Sequence, residues 1–338
     1  MHDLTFPVWQ AAIMLALGFY LLAKSSTWLV DAAVGIAERF NVPKLLIGIV
    51  LVGLATTAPE FAVSVLAALQ GKAEMALGNA VGSVIVDDGV ALALVALMAT
   101  APVVVGGRTF KTAAFFLILV DIVCFALVAW DGTLSRGEGV ILLTIFFAYM
   151  GYAIYDRKKH PEADAESLEL EEAKQGAAGK GMVTLVVIFL LGLTVIIGSS
   201  EVVVLSAISI AKAAGIPEAV IAMTLVAIGT SLPEIATCVT AARKGHGALA
   251  IGDIIGADIL NIAWIAGASA TVNPLTLQFK EIYFMFPAML VIVFTMLGWL
   301  LVKKKMTKTL GVILLTEYVI YFVMMIVLFP PQLGGAAH

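Results

Sequence analysis

The sequence predicts an all-α membrane protein of ten transmembrane helices, arranged as two inverted-topology five-helix repeats. Three observations carry this expectation: a composition too apolar for water, ten apolar segments of membrane-spanning length, and one internal repeat held at a constant offset. Hydrophobic residues make up 61% of the 338 positions and charged residues 13%, with a mean hydropathy of +1.05. A soluble domain carries about 25% charged residues, so most of this surface is made for lipid.

A helical crossing needs about 20 predominantly apolar residues. Such segments fall at roughly 7–38, 43–70, 76–100, 111–130, 138–156, 183–213, 217–243, 249–270, 281–302 and 308–329. The first is longer than the apolar stretch of a cleaved signal and has no basic flank before it, so it reads as a retained helix. The second and seventh are interrupted by Pro59 and Pro233. Cys124 and Cys238 both fall in apolar segments and suggest neither a disulfide framework nor a metal motif. The net charge of −4 and the lack of a long basic run argue against a nucleic-acid partner. Nothing in the sequence reports oligomeric state.

Basic residues set the orientation. With the N-terminus outside, fifteen of them, from Arg39 to Lys308, fall on the cytoplasmic side; Lys72, Arg136, Lys212 and Lys280 fall opposite, and Lys24 lies inside a helix. The asymmetry favours both termini outside a cell (plasma) membrane. Between the halves, residues 157–181 form a charged stretch with Glu162, Asp164, Glu166, Glu169, Glu171 and Glu172. It does not match an EF-hand loop and reads as a solvated cytoplasmic linker. The expected division is 1–156 for the first repeat, 157–181 for the linker and 182–338 for the second.

The repeat aligns residues 17–92 with 191–266 without a gap, at an offset of 174 residues. Matched identities include Gly18 with Gly192, Ser25 with Ser199, Pro43 with Pro217, Thr56 with Thr230, Pro59 with Pro233, Glu60 with Glu234, Gly78 with Gly252 and Gly82 with Gly256. Five crossings per copy place the copies in opposite orientations. This is the design of secondary transporters, whose site lies near the midplane on interrupted helices.

The interruptions carry the chemistry. Gly53-Leu-Ala-Thr-Thr-Ala-Pro-Glu60 stands beside Ala227-Ile-Gly-Thr-Ser-Leu-Pro-Glu234. Proline cannot bond the carbonyl four residues back, which loosens the carbonyls of Ala55 and Gly229. Glu60 shares a helix face with Thr56 and Thr57, and Glu234 shares one with Thr230 and Ser231. An acid at the centre of a membrane helix costs about 2.5–3.5 kcal/mol on insertion scales, so two matched acids point to a cation site rather than to packing. Calcium takes six to eight hard oxygens at variable geometry, the shell that carboxylates, hydroxyls and loosened carbonyls provide. In the next helix Ser83 and Asp87 share a face; their counterparts are Ala257 and Asn261. Glycines Gly78, Gly82, Gly252 and Gly256 recur at a spacing that permits close helix approach.

These paired motifs resemble the alpha repeats of the sodium/calcium exchanger family, within the cation/calcium exchanger superfamily. The resemblance spans nearly the whole membrane chain. It implies ten helices, alternating access, no resident cofactor, and exchange of sodium for calcium at one central cluster. By position, the implied ligands are Thr56, Thr57, Glu60, Ser83 and Asp87 from the first half and Thr230, Ser231, Glu234 and Asn261 from the second, with backbone ligands near Gly53 and Ala227. Three departures stand out. Ala257 replaces a serine, Asp87 and Asn261 are exchanged relative to the archaeal pattern, and Asp88, Asp253 and Asp258 are additional acids. Asp88, Asp258 and Lys24 are therefore candidate modulators, with Lys24 either snorkelling or neutralising Asp87 or Asp88.

Sodium-driven calcium antiport is the leading expectation, with lipid, calcium and sodium as the partners. Proton-driven calcium antiport is the alternative that Ala257 keeps open. A remote alternative is an intramembrane aspartyl protease using Asp156 and Asp253. No His-Glu-x-x-His pattern or nucleotide-binding loop is present, so the expectation is a transporter and not an enzyme.

Overall fold

A computed structural model describes residues 6–40, 44–100, 103–159, 181–214 and 227–328. Pro43, Pro217, the start of the seventh predicted segment and the linker acids from Glu162 to Glu172 lie outside the described residues.

In chain order the helices are α1 (Val8–Phe40), α2 (Gly48–Thr56), α3 (Ala58–Leu69), α4 (Ala73–Met98), α5 (Gly107–Asp131), α6 (Arg136–Asp156), α7 (Met182–Ala213), α8 (Ala227–Thr230), α9 (Leu232–Arg243), α10 (Gly247–Val272), α11 (Phe279–Lys303) and α12 (Lys308–Leu328). Among the described residues eight helices are long and apolar enough to cross a bilayer, and α2 with α3 form a further apolar pair of that length, bent by 53°. The seventh predicted segment is described from Ala227 onward, as α8 and α9.

Each prolyl residue falls in the first turn of the helix after the break, where its missing N–H leaves no internal bond unmade. The residues at the two breaks adopt the same backbone conformation: Thr57 has φ −77° and ψ 2°, and Ser231 has φ −84° and ψ 6°. The repeat seen in the sequence is thus a repeat of geometry. It recurs inside α4 and α10, where the helix widens to π geometry at Asp87–Leu92 and Leu260–Ala266. Such widened turns commonly mark functional positions in helices.

Packing follows the same two-fold logic. The long helices α1 and α7 lie against each other, with Gly18 facing Val203 and Gly192 facing Leu29 and Ser25. Helix α12 packs on the end of α4, and α6 packs on the end of α10. Two short antiparallel pairs, too brief to be read as strands from sequence, repeat it again. β1 (Val103–Val104) pairs with β4 (Lys305–Met306), and β2 (Thr133–Leu134) pairs with β3 (Leu275–Thr276). In both, a loop between the third and fourth crossings of one half meets the loop after the fourth crossing of the other half.

The core lies where α4 and α10 cross the broken helices. Of the eight long apolar helices these two are the most enclosed, with 72% and 89% of their most apolar 18-residue stretch buried, against 22% for α6 and α12. Gly48 of α2 lies against the α10 backbone, since a Cβ there would stand 2.5 Å from the Leu249 carbonyl oxygen and 2.7 Å from the Asp253 nitrogen. Gly256 lies equally close to the Ile49 backbone. Gly82, its counterpart in the first half, has open space among the described residues. The ring of Phe61 stacks on Trp264 at 5.5 Å, which fastens α3 to the widened turn of α10.

Candidate functional site

Most of the predicted residues lie on the two breaks and the two widened turns and are buried. Thr56, Thr57, Glu60, Ser83, Asp87, Ser231, Glu234 and Asn261 are all buried, with Glu60 at 1% and Glu234 at 0% exposure. Glu60 lies within electrostatic reach of Glu234 and Asp87, and Asp87 within reach of Glu234. Each glutamate is approached by the threonine of the opposite half: Thr230 nears Glu60 and Thr56 nears Glu234. Ser231 of the second half nears Asp87 of the first. The site is therefore shared across the repeats.

Its oxygens are largely uncommitted. Among the described residues, both carboxylate oxygens of Glu60 and of Glu234, Oδ1 of Asp87, Oγ of Ser83, Oγ of Ser231 and Oδ1 of Asn261 have no hydrogen-bond partner. A buried polar group left unpaired costs about 1–3 kcal/mol. Eight such oxygens therefore cost as much as the entire net stability of a folded domain, about 5–15 kcal/mol. Among the described residues no three acidic, histidine or cysteine side chains by themselves form a group able to hold a metal.

Thr57 differs from its neighbours. Its hydroxyl donates to the Gly53 carbonyl at 2.8 Å, and its N–H reaches the same oxygen at 3.1 Å. The candidate backbone ligand at Gly53 is thus held in the break by Thr57. Ala227 opens α8, at the matching place in the second half.

Lys24 is exposed, and its ammonium stands 5.9 Å from the centre of the Tyr20 ring. It does not neutralise Asp87 or Asp88, which are both buried. An apolar helix side is uniform in sequence, so periodicity did not show which face Lys24 takes; here the long stem lets the charge reach the surface. Asp156 is gripped by Arg108, with Nε 2.8 Å from both carboxylate oxygens, whereas Asp253 sits in the core bonded to Thr56 and Cys238. This is not a pair of catalytic aspartates.

Two further buried polar groups lie beyond the predicted ligands, one of them joining Asp121 to the candidate modulators Asp88 and Asp258. Asp121, on α5, is fully buried with both oxygens unpartnered among the described residues, as are Asp88 and Asp258, and these three acids lie within electrostatic reach of one another. An acid inside an apolar crossing was the available signal for Asp121, but α5 lies outside the repeat that guided the reading. The second group is Asn79 with Asp253, whose bonds cross between the halves and so depend on their packing.

The sequence matches the family described as sodium/calcium exchanger protein over residues 10–155 and 184–327. It is 34% identical over 267 residues to the inner membrane protein YrbG of Escherichia coli, covering 78% of this chain and 80% of that protein. It is 28% identical over 348 aligned positions to the sodium/calcium exchanger MaX1 of Methanosarcina acetivorans, covering 93% and 97% respectively. The fold is similar to that of the sodium-calcium exchanger NCX_Mj soaked without sodium or calcium, with a TM-score of 0.79 and 25% identity, over 94% of this chain and 100% of that one. The paired motifs, the bent helix pair and these matches agree, and the chain belongs to the sodium/calcium exchanger family of membrane antiporters.

Proposed function

We propose that this chain exchanges sodium for calcium by alternating access at one central site. Its ligands are Thr56, Thr57, Glu60, Ser83, Asp87, Thr230, Ser231, Glu234 and Asn261, supported by the backbone near Gly53 and Ala227. The observation that carries this reading is the pair of buried glutamates, one from each half, surrounded by uncommitted oxygens. Glu60, Glu234 and Asp87 offer three negative charges, which one calcium or several sodium ions can offset in turn. The mixed donor set suits a hard cation of variable coordination, and because both halves contribute, rocking one half against the other opens the site to either side. The halves are residues 1–156 and 182–338, joined by a cytoplasmic linker at 157–181. The excess of basic residues on one side supports a cell membrane with both termini outside.

Proton-driven calcium antiport is the second reading, favoured by Ala257, which lacks a hydroxyl, and by the buried acids Asp88, Asp121 and Asp258. Gradients separate the two. In vesicles holding the purified chain, calcium uptake is expected to follow an imposed sodium gradient and to be absent with a pH gradient alone. Uptake driven by the pH gradient without sodium would reverse the assignment.

A further inference from the structure

Asn79 and Asp253 occupy the same register in the two repeats, and the structure builds the same cross-repeat latch around each. In the first, the Thr230 hydroxyl donates to Asn79 Oδ1 at 3.5 Å, while Asn79 Nδ2 donates to Ser64 Oγ at 3.0 Å and to the Glu60 carbonyl at 3.4 Å. In the second, Asp253 Oδ1 and Oδ2 lie 3.3 Å from the Thr56 hydroxyl and the Cys238 thiol, whose protons can also reach the Val52 and Ala250 carbonyls at 3.1 Å and 3.4 Å. Thr56 corresponds to Thr230, and Ser64 to Cys238, at the offset that relates Glu60 to Glu234.

The two latches differ in one coordinated way. Asn79 has N–H groups to give, and its partner Ser64 accepts. A carboxylate only accepts, and opposite Asp253 the partner is Cys238, placed to donate. The pair of changes suits an ionised acid at 253. Each latch places an acceptor oxygen beside its threonine hydroxyl, and the Thr56 hydroxyl also lies 3.1 Å from the Val52 carbonyl. Only the second adds a full charge behind the hydroxyl, and that charge lies within electrostatic reach of Glu234 and Asp87.

We propose that Asp253 is a specificity-determining residue, which positions Thr56 and places a fourth negative charge one hydroxyl behind the ion so that calcium is favoured over sodium. This rests on the central-site reading given above. At a fixed distance a charge attracts a divalent ion twice as strongly as a monovalent one. A loss of about tenfold in calcium affinity therefore accompanies a loss of only about threefold for sodium.

The test is equilibrium binding of calcium, and sodium competition, on the purified full chain. Asp253→Asn copies the first latch and keeps an acceptor for Thr56. It is expected to weaken calcium about tenfold and sodium about threefold, with an unchanged melting temperature. Asn79→Asp should shift the calcium-to-sodium preference the opposite way, and combining the two should return it toward the native value. A purely structural role would move both ions equally and would not be rescued by the second change. A preference unmoved in Asp253→Asn overturns the proposal; should that variant misfold, a preference unmoved in Asn79→Asp does so. Failure of the underlying site is separate, since it would show as native calcium binding in Glu60→Gln and Glu234→Gln.

Discussion

Calcium exchange is expected to fall by at least about a hundredfold when either Glu60 or Glu234 is replaced by glutamine, a loss of ~3 kcal/mol. Each substitution removes a full negative charge from a buried position. Both carboxylates are unpartnered among the described residues, so neutralising one relieves a desolvation cost rather than breaking a native bond. The two variants should therefore melt at or above the temperature of the native protein in calcium-free buffer while losing transport. Flux measured in vesicles alongside a thermal melt checks both halves of this expectation. Loss of transport together with a much lower melting temperature would mean the acids serve the fold.

Gly256→Ala is expected to have the opposite profile, with stability lost first. Its Cβ would stand 2.5 Å from the Ile49 carbonyl oxygen and 2.6 Å from the Ile49 Cα, and a backbone cannot move aside as a flexible side chain can. Overpacking of this kind costs about 1–3 kcal/mol. Helix α2, pushed off α10, carries Thr56 with it, so calcium affinity should fall along with the melting temperature. Gly151→Ala is the control, because Gly151 is exposed and has open space among the described residues. A Gly256→Ala protein that melts and binds calcium like the native chain would show that the crossing is looser than this geometry.

Both expectations trace back to what the sequence makes legible and what it does not. The breaks at Pro59 and Pro233 and the paired glutamates follow from one offset, because covalent register is what a repeat preserves, whereas the widened turns at Asp87 and Asn261 left no mark that a sequence pattern shows. Contacts between inverted halves link residues about 200 apart in the chain, such as Thr56 with Asp253, and no local pattern predicts them. Lys24 and Asp121 show the same limit from two sides. A charge inside an apolar crossing is easy to see, but whether it faces lipid or core depends on which neighbour the helix meets. Lys24 faces outward and Asp121 inward, although each is a charge within a mainly apolar segment.

The glutamate pair at the centre of both halves is the claim on which everything else depends, and locating the bound ion tests it most directly. Crystals of the protein soaked in strontium, a heavier stand-in for calcium with usable anomalous scattering, should show one dominant intramembrane peak between the Glu60 and Glu234 carboxylates. That peak should vanish in Glu60→Gln. A dominant peak among Asp88, Asp121 and Asp258 instead, with none between the glutamates, would contradict the account.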